Sequence, residues 1–585
     1  MMPRSLVYSR LAVAFAQGIV LYFLYHAYEL RAWPAGDQLI FASIVTVALF
    51  VPLILVAGVG NLRPWTLAIW IVIATAICAG LAAYNVYRGP IGNASGQWLG
   101  SSSHMRPAII AILFVTHSLI VSGDAERHFI ARYANYFDIS WKHGVQLVLA
   151  GIFLGVFWAL LFLGAKLFGL IRIELFTDLI KRPWFAIPAT MLVLTLAIHI
   201  TDLRPGIVRG TQTLMLTLLS WLLPMMALIA FGFTVALSFT GLDPLWNTHR
   251  ATAILLTAAF ALILLINSAY QDGGPEHFRA APLRYSSVLA AVLLAPLLGL
   301  ASYALLLRVQ QYGWTPDRVI TLACIAVAAC YAVGYFVAAL RSGLMLRELE
   351  TTNVLTAFFI VVVLLALFTP IADPARISVA DQVNRLRSGS IPPDKFDFGF
   401  LRFGSGRYGM AALEGLAGLT DGPQNAEIAE KARQASRLQN RWQNLNTVVQ
   451  VTPQMRAANI TIVHPGGQTI PDSFLRQDWN SMPKKWLLPK CLVSNAKCDA
   501  VLVDLDGDRI PEILLFGLPG PSAVFKSVAG DYWEFLGGIS NAHCPAVREA
   551  MRDGNFELAR PSLNELQVNG QRLQVQLQRD CPPRR

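Results

Sequence analysis

Eleven apolar runs, each long enough to cross a bilayer, occupy most of the first 372 residues of this 585-residue chain. They fall at 11–30, 39–60, 66–87, 107–122, 144–171, 184–201, 211–240, 251–270, 286–307, 319–340 and 354–372. About 20 apolar residues in α-helical form span the hydrocarbon layer. In lipid, where no water serves the backbone, isolated runs of that length must be helices. The pattern therefore predicts a membrane all-α helical bundle of about 11 transmembrane helices and excludes a purely soluble chain. Composition agrees, with 55% hydrophobic and only 14% charged residues. The first run follows Arg4 and Arg10 but is long, Tyr-rich and without a small-residue cleavage site, so it reads as a first helix rather than a signal peptide.

Composition changes after Thr369-Pro370 and Asp373-Pro374. We expect a spanning domain over 1–372, a helical linker region over 373–457 and a small α+β extracytoplasmic domain over 458–585. In the linker, Asn425–Trp442 carries the Ala/Glu/Lys/Arg alternation of an exposed helix. Short β-rich runs follow at Ile460–Val463, Val501–Val503, Ile513–Phe516, Ala523–Ser527 and Tyr532–Leu536. Asn569-Gly570, inside the alternating run Gln567–Gln578, predicts a hairpin.

An odd number of crossings puts the two termini on opposite sides. Twelve Lys and Arg fall on loops of the N-terminal side and nine on the other, a weak bias toward N-in, C-out. Most of the net charge of +11 lies in residues 1–372, as expected of loops facing anionic headgroups. No basic stripe or module for nucleic acid is present. The seven cysteines divide. Cys78, Cys324 and Cys330 lie in apolar runs and read as small hydrophobes. Cys491, Cys498, Cys544 and Cys581 lie in the polar tail, where two disulfides, Cys491–Cys498 and Cys544–Cys581, are expected of an oxidising compartment. No C-x-x-C pair suggests zinc. The C-terminal domain is thus expected outside the cytosol.

Within that domain, Asp504, Asp506, Asp508, the carbonyl of Ile510 and Glu512 alternate oxygen ligands at a spacing suited to Ca2+. The stretch resembles the calcium loops of integrin-type FG-GAP repeats. It departs at Arg509, where such loops place Gly because the turn needs a left-handed residue. The alternative is an acidic β-turn with no ion. Inside the apolar runs, ionisable groups are costly and draw attention. His117, the pair His199 and Asp202, and Lys166 with Glu174 one helical face away form a possible intramembrane polar site; His26–Glu29 and Asn267 are lesser candidates. Satisfied interfacial contacts are the competing reading. Asp124–Lys142, with Phe129, Tyr133, Tyr136 and Phe137 at helical spacing, is expected to lie as an amphipathic helix on the cytoplasmic surface, with Leu170–Trp184 as an outer counterpart. Asp124, Glu126 and His128 make a D-x-E-x-H whose interleaved Arg127 and Arg132 mark it as part of that surface helix. There is no G-x-S-x-G, H-E-x-x-H, P-loop or dinucleotide fingerprint, so no catalytic residue is assigned.

Several stretches resemble the bacterial family catalogued as domain of unknown function 4153. They are LGAKLFGLIRIELFTDLIKRPWFAIP (163–188), LTLLSWLLPMMALIAFGFTVALSFTGLDPLW (216–246), INSAYQDG (266–273), RVQQYGWTPDRV (308–319) and FTPIADPARISVADQVNRL (368–386). The resemblance implies a multi-pass bacterial inner-membrane protein and brings no established reaction. Within it, Tyr312–Pro316 reads as a rigid interfacial turn. The expectation that follows is a non-enzymatic envelope protein in contact with the lipid bilayer, whose calcium- and disulfide-stabilised periplasmic domain binds a protein or envelope polymer. A lipid-linked glycosyltransferase is one alternative, by architecture only, since the first outer loop offers just Glu29 and Asp37. A proton-coupled transporter using His117 or His199–Asp202 is the other.

Overall fold

The computed structural model describes residues 4–89, 105–242, 245, 248, 250–274, 280–341, 348–420, 422–438, 451–479, 482, 487–494, 496–518, 521–528, 532–539, 542, 544–559, 566–568 and 571–573. The chain forms two compact units, Met1–Arg437 and Leu438–Arg585.

Among the described residues, the first unit contains eleven helices long and apolar enough to cross a membrane. These are α1 (Arg4–Glu29), α2 (Gln38–Gly58), α3 (Pro64–Arg88), α4 (Met105–Glu126), α5 (Tyr133–Leu170), α7 (Pro183–Leu203), α8 (Pro205–Thr240), α9 (Ala251–Tyr270), α10 (Ala281–Tyr312), α11 (Pro316–Arg341) and α12 (Leu349–Leu367), with a short α6 (Leu175–Lys181) before α7. Proline opens α3, α7, α8 and α11, where its missing N–H and fixed φ cost nothing. Inside α2, Pro52 leaves the carbonyl of Ala48 without its helical donor. Gln17 of α1 restores the bond, donating Nε2 to Ala48 O and Leu49 O at 3.0 Å each. Helix α1 packs along α7 so closely that a Cβ on Gly18 would lie 2.5 Å from Cα of Pro188. One core centres on Trp70, Cys78, Ile109 and Ile112, a second on Leu223, Leu262, Leu294 and Tyr335.

The expected surface helix over Asp124–Lys142 is not formed. Helix α4 runs on to Glu126, the chain turns with Arg127 at φ 58°, and Tyr133 starts α5. Tyr133, Tyr136 and Phe137 are buried, while Phe129 is 88% exposed. At ~57 Å, a 38-residue α5 overruns the hydrocarbon, so its first turns pack against neighbouring helices rather than lie on headgroups. Helical spacing reports a face; it does not say whether lipid or protein covers it.

Three more helices, α13 (Pro374–Arg387), α14 (Gly406–Ala417) and α15 (Pro423–Arg437), complete this unit. The stretch expected as a linker thus packs with the spanning helices as far as Arg437. The turn at Gly313 and α13 lock together. Gly313 has φ 74°, and a Cβ there would meet Gln382, Asp381 and Arg385. Asp381 accepts the Trp314 N–H at 2.8 Å, and Gln382 donates to Tyr312 O and Trp314 O.

The second unit begins with α16 (Pro453–Asn459), α17 (Asp472–Arg476) and α18 (Lys490–Val493) around β1 (Ile460–His464). Then come β2 (Lys497–Val503), β3 (Glu512–Leu518), β4 (Ala523–Val528), β5 (Tyr532–Gly538), α19 (Pro545–Arg552) and the hairpin β6 (Leu566–Val568) and β7 (Gln571–Leu573). Strands β1 to β5 form one sheet in chain order, β1 parallel to β2 and the rest antiparallel. Alternation along β2 sends Cys498, Ala500 and Leu502 to a core with Phe474, Trp479, Phe525 and Trp533, and Val501 to a second core with Leu514 and Phe516. Arg456, 5% exposed, donates to Leu475 O, Gln477 O and Leu492 O, serving carbonyls at the ends of the short helices α17 and α18. Cys491 and Cys498 form a disulfide in the first of these cores. Cys544 is likewise disulfide-bonded, and Cys581 lies outside the described residues.

Candidate functional sites

Two constellations gather the ionisable side chains. The first lies where α1, α5 and α7 meet. Asp202, at the end of α7, accepts from Arg10 Nη1 at 2.7 Å and from Gln146 Nε2 at 2.6 Å, with Lys142 Nζ at 3.6 Å. Arg10 also donates to Val59 O at 2.9 Å. Its side chain is 1% exposed, and that of Asp202 3%. Arg10 is therefore a core residue of the bundle, not a loop charge as the sequence suggested. An apolar run that begins at residue 11 gives no sign that the arginine before it faces another helix.

His199 joins this group through Arg10, with Arg10 Nη1 3.4 Å from His199 Nδ1. A guanidinium only donates, so Nδ1 accepts and the ring proton sits on Nε2. His117 is fixed the same way: Trp70 Nε1 donates to its Nδ1 at 3.1 Å. Both Nε2 atoms are buried without a hydrogen-bond partner. Taking a proton at Nδ1 costs either ring its contact. The expected His199–Asp202 pair is replaced by Asp202 on Arg10. His143, which the sequence analysis did not single out, lies 5.2 Å from His117 between ring centres. Lys166 is exposed near the end of α5, with no ion pair to Glu174. His26 stacks on Tyr22 and is not paired with Glu29. Asn267 is the hub of a satisfied ring: it donates to Tyr335 Oη at 2.7 Å and accepts from Asn353 at 2.6 Å, while Tyr335 donates to Asn353 at 2.7 Å. Asp124 is held by the Arg63 side chain and by Thr66, and Glu126 by Arg132. Those carboxylates brace helix ends.

The second constellation is the turn between β2 and β3. Asp504 accepts from the N–H groups of Gly507 and Arg509, Asp506 from Asp508, Asp508 from Ile510, and Glu512 Oε2 from Leu505. Each carboxylate is thus oriented by backbone before any ion arrives. Gly507 and Arg509 both have positive φ, 85° and 71°, so the left-handed position read from the sequence is real and is filled by an arginine. Asp504, Asp506 and Glu512 each offer an oxygen within 4.8 Å of the others'. Asp508 is turned instead toward Lys526 of β4, which also contacts Asp506 and stands 3.8 Å from Glu512 Oε1. Ile510 enters the turn through its N–H. Lys526, unremarked in the sequence because it lies fourteen residues past Glu512, is the cation the cluster already faces. The Ile510 N–H bond and the ammonium hold the Asp508 carboxyl below its usual range, and the carboxylates of Asp506 and Asp508 raise the lysine.

The description "Domain of unknown function (DUF4153)" matches residues 12–414. The chain belongs to the DUF4153 family. No curated protein and no solved structure matches it. The DUF4153 region takes in all but the start of α1, every later spanning helix, the Gly313–α13 lock and most of α14. It contains Asp202, His199, His117 and Asn267, and ends before the sheet of the second unit. The acidic turn therefore lies outside the DUF4153 match.

Proposed function

We propose that this DUF4153 protein is a bacterial inner-membrane protein whose C-terminal unit stands in the periplasm and binds an envelope protein or polymer, with the helical bundle as its platform. The carrying observation is the Cys491–Cys498 disulfide within the core of that unit, since such bonds persist in oxidising compartments. The eleven crossings among the described residues and the basic bias of the N-terminal side, eleven against nine once Arg10 is left out as a core residue, point the same way. Support for binding comes from β5, which ends the sheet among the described residues and exposes Tyr532 and Leu536 at 52% and 53%, apolar side chains that a partner surface can cover. Calcium at Asp504, Asp506 and Glu512 is the structural ion of this reading: hard oxygen donors, pre-oriented, at the tip of a hairpin.

The test is a pair of fusions after Arg585, expressed in a bacterial host, combined with a photo-crosslinking residue at Tyr532. Active alkaline phosphatase, dark green fluorescent protein and a discrete crosslinked adduct are expected. A fluorescent, phosphatase-inactive pair overturns the location, and absence of any adduct in growing cells overturns the binding role.

A further inference from the structure

Resting on the calcium reading above, we propose that Lys526 is a displaceable counter-ion of the acidic turn: a divalent cation, calcium by its all-oxygen donor set, binds by moving the ammonium from Asp506, Asp508 and Glu512 toward Glu534. Three observations converge. Glu512 is 2% exposed, and its Oε1 accepts no hydrogen bond while pointing into the cluster. A buried carboxylate oxygen without a donor is a standing cost that a bound cation removes. The carboxylates are already set by five backbone N–H bonds, so the ion finds a formed site. The third observation is the lysine's alternative seat. Lys526 faces Glu534 directly across the β4–β5 ladder, and side chains so paired share a face with Cβ atoms about 5 Å apart.

The geometry explains why a lysine there antagonises calcium without abolishing it. An ammonium is one charge with three donors and leaves Glu512 at 3.8 Å. A divalent ion at ~2.4 Å draws on Asp504, Asp506 and Glu512 at once. Lys526 is also partly exposed, so its own charge can return to solvent, and the arriving cation takes its place beside the buried Glu512. The native site is then a weak one, with its affinity set by competition between two cations.

The experiment is calorimetric titration of calcium chloride into the calcium-stripped full chain in detergent, for wild type, Lys526→Met, Lys526→Gln, Glu534→Gln and Asp506→Asn, with protease resistance of the second unit as a folding check. Both lysine variants are expected to bind at least ten-fold tighter than wild type, Glu534→Gln several-fold weaker, and Asp506→Asn not at all. Equal affinity in wild type and a folded lysine variant overturns the counter-ion role and leaves calcium standing. Binding by the lysine variants alone supports the counter-ion role and removes calcium from the native protein. No binding by any folded variant overturns both.

Discussion

The Arg10–Asp202 pair and the Lys526–Asp506 pair are the same chemistry in two settings. In the bundle, guanidinium and carboxylate are both almost fully buried, and Gln146, Val59 O and His199 take up further polar atoms around them. At the sheet, the ammonium and two of its three partner carboxylates keep contact with solvent. Burial decides what each pair is for. A buried ion pair cannot exchange a partner, because the partner left behind is an uncompensated charge in a low dielectric. An exposed one can, because water and salt stand in at small cost. The first therefore fixes helix positions, and the second is available to a ligand.

The largest effect should come from breaking the closed pair. Asp202→Ala leaves Arg10 buried and unpaired, and about 3–5 kcal/mol of bundle stability is expected to go. The double variant Arg10→Met, Asp202→Leu should recover most of it. Thermal unfolding of the purified protein in detergent measures both. A cost below about 1 kcal/mol for the single variant means that the pair is hydrated, and the contrast between the two regions fails.

Next in size is the helix contact that frames the pair. Gly18→Val puts a branched side chain where even a Cβ would lie 2.5 Å from Pro188. Prising α1 from α7 there should cost about 3 kcal/mol by overpacking and weaken Arg10–Asp202 in the same step. Adding Asp202→Ala to it should then cost less than in the wild-type background, which a double-variant cycle on the same melting assay reads directly.

How much of this was legible beforehand follows from where each signal lives. The spanning helices and the strands are properties of contiguous stretches, and hydropathy or alternation reports them. Cys491–Cys498 are seven residues apart and were readable for the same reason. Arg10 and Asp202 are 192 apart; nothing local marks a partner at that distance, and Arg10 sits before the apolar run begins. Tyr133 and Phe137 showed a face but not what covers it. In the acidic turn, the clustered carboxylates and the left-handed demand at Arg509 were local and visible. Lys526 arrives from the next strand but one, through sheet register, and was not.

A smaller effect is expected at Arg509. A non-glycine residue at φ 71° carries a backbone penalty of roughly 1–2 kcal/mol, partly offset by the greater freedom glycine has when unfolded. Arg509→Gly should therefore raise the stability of the second unit by about 1 kcal/mol. It also removes a cation from the turn, so calcium should bind somewhat tighter. A lower melting point in this variant means that the arginine makes a contact outweighing its strain, and the turn is then less open to exchange than the comparison requires.

The smallest effect is the pH dependence of the exposed pair, and its sign is fixed by the two shifts. Asp508 is held below its usual range, so its contribution is present above that range and is lost as pH falls through it. Lys526 is raised, so its contribution is complete below the ordinary lysine value and is lost only as pH rises past it. The pair thus stabilises the second unit across the neutral window and fades toward acid. In calcium-free buffer, Lys526→Met should melt below wild type at neutral pH because the carboxylates then repel one another. The gap should close as pH drops through the carboxylate range, where both proteins have neutral acids in the turn. A gap that persists in acid would show that Lys526 acts through its methylene packing rather than its charge. The exposed pair would then resemble the buried one in being structural.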